Sequence, residues 1–419
     1  MKFKSHPAVL MAFLFAGTLS QSQSNLHADN WPQFLGAQRN GISSETGLLD
    51  NIPAGGPKVL WKVPGGVGMS AVSVVDQYAI TTWNESGKQS VVALNPENGK
   101  TIWATPIGTG YENSMGNGPR ATPAIVGDRV YAYGGAGELA CLNLADGKVI
   151  WSANVPREVK GKTAEYGVSS SPLVVDGKVI VTCGGAGAAV VAFDAKSGTK
   201  VWSAIDGASG YSSVSLLKIL NDKQLVSFTG AGASGLDVST GKVRWEYPFK
   251  TAYDCNTASP INVGENVLIS AGENHGSVML KFAASSGGVN VTEEWESVNT
   301  KSVLRNEWQT SVLINGHLYG FDNVGSAGPI THLVCVNAAT GMQVWRETRF
   351  GKGNLTAADG KLWITMMSGE LILVKATPDK YVELGRAKLF GKTRQSLSIS
   401  NGRGYIRDDQ NVVCFDLRK

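Results

Sequence analysis

Residues 121–142 read ATPAIVGDRVYAYGGAGELACL. Short apolar runs alternate with breaks at Gly127-Asp128 and at the glycines after Tyr133, a pattern of brief strands joined by tight turns. The same order returns in SSPLVVDGKVIVTCGGAGAAVVAF (170–193) and in ASPINVGENVLISAGENHGSVMLKF (258–282). Pro123, Pro172 and Pro260 stand where each first strand begins, a place that tolerates a missing N–H. Further first strands are expected near Ala71, Ser213, Thr310, Leu355 and Leu397, which makes eight. The YGGAG, CGGAG and FTGAG segments recur at one place in successive units and are not followed by a helix, so they read as hairpins rather than phosphate loops.

Each unit ends in a second pattern. Ala93-x-Asn95-x-x-Asn98-Gly99-Lys100-x-x-Trp103 is one copy, and Gly235-x-Asp237-x-x-Thr240-Gly241-Lys242-x-x-Trp245 is another. Further copies end at Trp151, Trp202 and Trp345, a degenerate one with an insertion ends at Trp295, and one from Val374 to Leu384 lacks both Gly and Trp. With Trp61 the anchors repeat every roughly 40–50 residues, the period of a propeller blade. The Asn or Asp ends a strand, and the glycine accepts the positive φ of a tight hairpin. The small residue at the head of each copy, Cys141 and Cys335 among them, makes room for a bulky neighbour. The last copy stops at Cys414-x-Asp416, while Lys58 and Trp61 supply its missing end at the front of the chain. The expected fold is therefore all-β: an eight-bladed β-propeller of four-stranded antiparallel blades, closed by N- and C-terminal strands sharing the last blade. Three segments follow: a signal peptide over 1–28, an N-terminal arm over 29–53, and the propeller over 54–419.

Composition agrees with a large folded core: the 419 residues are 42% hydrophobic and 17% charged, with 51 glycines. A net charge of +4 with no basic tract speaks against nucleic-acid binding. Lys2 and Lys4 precede a short apolar run over 8–16, as in an exported chain, with cleavage expected after Ala28 or at Ser20-Gln21-Ser22. The run is too short for a stable membrane span. Five cysteines with no C-x-x-C pair do not form a disulfide framework. His275, His317 and His332 lack ligand spacing, and no G-x-S-x-G elbow opens a helix.

The A-x-D-x-x-T-G-K-x-x-W pattern resembles the tryptophan-docking repeat of the pyrroloquinoline quinone (PQQ) propellers, from about Ala54 to Lys419. The opening NWPQFLGAQRNGISSETGLL (30–49) is similar to the leader of exported bacterial members. The resemblance implies either of two activities. Quinoprotein alcohol dehydrogenases use PQQ with a Ca²⁺ held by Glu and Asn, an Asp base and a disulfide between adjacent cysteines; this chain has no Cys-Cys. A non-catalytic relative serves outer-membrane assembly.

Loops running from one outer strand to the next inner strand should gather at one mouth of the channel. Their Tyr111, Arg120, Tyr166, Tyr211, Asn256, Arg305 and Arg394 form a candidate ligand site. Glu112, Asp254 and Glu307 are the candidate bases. Asp254 and Asn256 alternate on one extended segment and could share a hard cation, but two oxygens are too few to define a metal site. The expectation is an exported, periplasmic or secreted, monomeric module that binds a protein, peptide or glycan at this mouth. The alternative is a PQQ- and Ca²⁺-dependent dehydrogenase of an alcohol or sugar.

Overall fold

The computed structural model describes residues 1, 29–286, 288–325 and 330–419. The proposed signal segment lies outside the described residues. Those residues form eight four-stranded antiparallel sheets, with one short α-helix at Val155–Val159 capped by the side chain of Asn154, and 3-10 turns at Ala252–Asp254 and Asn299–Lys301. In blade 1 the strands are Ser73–Val75, Tyr78–Glu85, Lys88–Leu94 and Thr101–Thr109, running in that order from channel to rim. Blades 2 to 7 repeat this order and begin at Ala124, Leu173, Ser215, Ile261, Val312 and Gly353. The first strands of neighbouring blades touch around the axis.

Blade 8 is shared by the two ends of the chain. Its inner strands are Ser398–Ser400, Arg403–Arg407 and Asn411–Asp416, and its outer strand is Val59–Pro64. Trp61 pairs with Cys414, and Val59 with Phe415 across a bulge. The small Cys414 leaves room for the indole, as Cys141, Ala192 and Cys335 do opposite Trp151, Trp202 and Trp345.

The tryptophans knit the blades together. Trp61, Trp103, Trp151, Trp202 and Trp295 lie on Gly99, Gly147, Gly198, Gly241 and Gly341 of the following blade, where a Cβ would come within 2.5–2.7 Å of the ring. Each of these glycines also turns the chain at φ 70–73°. Four of these indole N–H groups donate to a carbonyl in the same turn, for instance Trp61 to Pro96 at 2.8 Å and Trp103 to Leu144 at 2.9 Å, while that of Trp202 is buried without such a bond. The glycine thus serves both the turn and the contact. Where blade 5 lacks it, Trp245 packs instead on Phe282, ring centroids 4.9 Å apart. Phe282 belongs to the long hairpin of Gly276–Ser285 and Gly288–Val298 that carries the insertion.

Blade 7 departs from the expected alignment. Leu373 pairs with Gly385 and Val374 with Glu383, so Gly385 rather than Leu384 holds the tryptophan position. Ile52 of the N-terminal arm fills that space: a Cβ on Gly385 would meet Ile52 at 2.9–3.2 Å, and the Ile52 N–H bonds the Leu384 carbonyl at 3.0 Å. The arm therefore replaces the one missing docking residue.

Before reaching that seam, the arm crosses the channel. Trp31 pairs with Val74 of blade 1, and the Pro32 carbonyl accepts from Ile125 of blade 2. The chain coils through Leu35 and Gly36, both at positive φ, with Gly36 pressed against the Trp31 ring. Arg39, buried, donates to the carbonyls of Ser171 and Pro172 on blade 3 and to Gln33. Gly41 and Ser43 then bracket Ala357 of blade 7, and Glu45 accepts from the Asn401 and Gly402 amides of blade 8.

Truncating Trp61 removes a buried indole that closes the ring. Trp61→Ala is expected to lower unfolding stability by about 3–5 kcal/mol in chemical denaturation. A midpoint unchanged from that of the exposed control Met342→Ala would contradict this role.

Candidate functional site

The eight crossing loops and the arm enclose a cup of about 630 Å³ at one mouth of the channel. Each loop contributes: Met69, Arg120, Tyr166, Tyr211, Tyr253, Glu307, Lys352 and Arg394 belong to successive ones. Phe34 and Leu35 of the arm also line it. Because the arm spans the lumen between blades 1, 2, 3 and 7, it gives the cup a floor.

Of the ligand residues expected from sequence, Arg120, Tyr166, Tyr211 and Arg394 line the cup, as does Glu307 among the expected bases. Arg120 bonds the Gly116 and Gly118 carbonyls, each at 2.7 Å, and Arg394 bonds Met115 O at 2.8 Å. Both arginines thus grip the same lip loop, and burial pushes both guanidinium pKa values down. Tyr166 and Tyr211 stack at 5.8 Å with planes 20° apart, and the Tyr211 hydroxyl accepts from the Tyr166 N–H. Burial raises the Tyr211 phenol well above its ordinary range.

The other expected residues sit elsewhere. Tyr111 lies beneath the lip, its ring 4.9 Å from the Arg120 guanidinium carbon, and so positions that arginine. Glu112 is exposed outside the cup. Arg305 is buried in an ion pair with Asp322 at 2.8 Å and also holds the Ser302 carbonyl, so it braces its loop. Asn256 is buried and gives its amide to the carbonyls of Thr229 and Phe249. Asp254 packs over Gly230 on the blade 4 hairpin. Tyr253 and Asp254 both adopt left-handed backbone, which breaks the extended alternation the sequence suggests, and Asp254 and Asn256 both meet the Thr229–Gly230 turn of blade 4. Among the described residues there is no group of three or more His, Cys, Asp and Glu placed to hold a metal.

Sequence reasoning missed several lining groups. Trp308 carries Lys352 Nζ at 4.4 Å and Arg394 Cζ at 4.7 Å from its ring centroid. Lys352 also pairs with Glu307 at 2.8 Å. Tyr253, 66% exposed, stands at the rim in a backbone conformation costly for an aromatic residue. Glu273 enters from a hairpin of blade 5; burial and then the Glu307 charge raise its pKa, while His275 and Lys352 pull it down. One signal was available: Trp308 falls off the tryptophan period, and a large aromatic in a crossing loop has no docking duty.

Cys255 is the cup's thiol, and the other four cysteines are buried. Burial, followed by the charges of Glu273, Asp254 and Glu307, pushes its pKa up to about 12.

A family model described as outer membrane protein assembly factor BamB matches residues 87–326. The assembly factor BamB of Salmonella typhimurium is 33% identical over 128 residues, 28% of this chain and 31% of that protein. The quinohemoprotein alcohol dehydrogenase ADH-IIG of Pseudomonas putida is 25% identical over 209 residues, 46% of this chain and 29% of that one. The chain thus spans less than a third of the length of either of these relatives. The solved quinohemoprotein alcohol dehydrogenase of Comamonas testosteroni superposes with a TM-score of 0.67 at 15% identity, over 93% of this chain and 81% of that one; this likeness concerns the fold alone.

The residues present do not fit PQQ with its calcium ion. Asn256 gives Nδ2 to backbone carbonyls and keeps Oδ1 buried and unpartnered, but Asp254 lies over a hairpin, Glu307 is held by Lys352, and the Trp308 face carries two cations. Cys255 has no neighbouring cysteine in sequence.

A raised thiol pKa means that the reactive thiolate forms only at high pH. Alkylation of Cys255 by iodoacetamide at pH 8 is expected to be at least about a hundredfold slower than that of free cysteine, rising tenfold per pH unit. A rate equal to that of free cysteine, read by mass spectrometry of the Cys255 peptide, would contradict the environment described.

Proposed function

Because the chain belongs to the family of PQQ-type propellers described as outer membrane protein assembly factor BamB, we propose that it is a binding module whose ligand, a protein segment, peptide or glycan, enters the floored cup. The observation that carries this reading is the cup itself. It is sized for a ligand segment, presents aromatic faces beside fixed cations, and holds Glu307 in an ion pair with Lys352. In this reading the chain is exported through its N-terminal segment and acts as a monomer in the periplasm or outside the cell. Among the described residues no helix is long and apolar enough to cross a membrane.

A quinoprotein dehydrogenase is the competing reading, favoured by the likeness to ADH-IIG. The test is to incubate the full mature chain with PQQ and Ca²⁺, remove free cofactor, and measure both retained quinone and dye-linked oxidation of alcohols and sugars. The binding-module reading predicts neither stoichiometric retention nor turnover. Retention of one quinone per chain with turnover would overturn it.

A further inference from the structure

The charges and surfaces of the cup are not evenly spread, and their arrangement restricts the ligand. This inference rests on the binding-module reading. Arg120 and Arg394 reach the lip from blades 2 and 8 and hold it through carbonyls. Among the described residues neither is paired with a carboxylate, and each guanidinium keeps further donors in its planar fork. The two are close enough that the Arg394 charge helps to lower the Arg120 pKa, after burial. Two half-buried guanidinium groups that repel each other, bond neutral carbonyls and lie over the Tyr111 and Trp308 rings, with the Glu307 charge acting on Arg394 while that carboxylate is paired with Lys352, offer an anion site, since a carboxylate between them would relieve the mutual repulsion.

The rest of the wall is aromatic and hydroxylated. Trp308, the Tyr166–Tyr211 stack and the exposed Tyr253 offer flat faces with polar edges. Between them, in the loops that lead into blades 4, 5, 6 and 8, stand Ser213, Thr257, Thr310 and Ser396, of which Thr257 gives its hydroxyl to the Glu307 carbonyl. Ser213 and Thr310 each accept one backbone N–H and retain their own O–H. A hydroxyl both gives and takes hydrogen bonds, as a polyol requires. Across the cup, Glu273 adds an acceptor.

A strand-like peptide would instead need a free sheet edge. Six of the eight edges that face the channel have three residues each, Ser73–Val75 and Ala124–Val126 among them; Ser215–Ile219 has five and Gly353–Ala358 six. The arm already occupies the edges at Val74 and Ala357. Recognition here falls to side chains.

We propose that the cup binds an acidic oligosaccharide, with a uronate carboxylate between Arg120 and Arg394, a pyranose face on the Trp308 and tyrosine surfaces, and ring hydroxyls on the Ser/Thr positions. A pyranose has an apolar C–H face and a rim of hydroxyls, which match the two kinds of wall.

The test is titration calorimetry of the full mature chain with trigalacturonate and with the neutral trisaccharide maltotriose, together with the Arg120→Leu/Arg394→Leu double variant. Trigalacturonate is expected to bind at least about tenfold more tightly than maltotriose, to weaken as salt is raised, and to protect Cys255 from alkylation at pH 10. The double variant should bind both sugars equally. Its melting temperature and circular dichroism establish whether it is folded. If it is not, Arg120→Lys, which keeps the charge but loses the planar fork, should reduce the preference for the acidic sugar. Equal wild-type affinities, or no trigalacturonate binding up to about 10 mM, would overturn the inference. So would a folded variant that keeps the preference. Those failures leave the binding-module reading standing, because that reading falls only on quinone retention with turnover.

Discussion

A tryptophan resting on a glycine is the contact on which the molecule depends. An indole cannot lie flat on a tight turn unless the turn residue lacks a side chain, and the turn needs a positive φ that glycine adopts without strain. One residue meets both demands at Gly99, Gly147, Gly198, Gly241 and Gly341. The contact runs from one blade to the next, so it sets the angle between blades and, repeated, the circle. Where the glycine is absent the seam is filled differently: by Phe282 beneath Trp245, and by Ile52 where Gly385 has no ring to offer.

That circle turns eight unrelated loops into one site. Each loop leads into a strand fixed by the ring, so side chains from remote parts of the sequence meet in one place. Arg394 reaches the Met115 carbonyl, and Lys352 and Arg394 both lie over Trp308. The arm contributes twice: its coil at Phe34 and Leu35 floors the cup, and its far end at Ile52 completes the outer wall. Truncation of the arm would therefore be felt at the binding surface and at the blade 7 seam together.

Periodicity made the fold legible in the sequence. The Gly-to-Trp interval repeats, and the split final copy announces closure between Trp61 and Cys414, which pair as expected. The blade 7 copy misled by one residue because its turn is longer and its anchor is supplied from elsewhere in the chain. The candidate site was harder to read. Loop membership located Arg120, Tyr166, Tyr211 and Arg394, but direction within a loop depends on backbone that no period describes. Left-handed residues at Tyr253 and Asp254 break the expected extended segment, and a buried carboxylate at Asp322 draws Arg305 out of the cup. Phe34 and Leu35 could not be placed, because nothing in the local pattern of the arm says that it crosses a channel.

Amide hydrogen exchange tests most directly the claim that the two ends of the chain close and complete the ring. In native buffer, peptides covering Val59–Pro64, Asn411–Asp416 and the arm around Ile52 should exchange as slowly as the central strand Val190–Asp194 of blade 3. Exchange of the terminal segments within seconds, while blade 3 stays protected for hours, would mean an open ring and an arm that seals nothing.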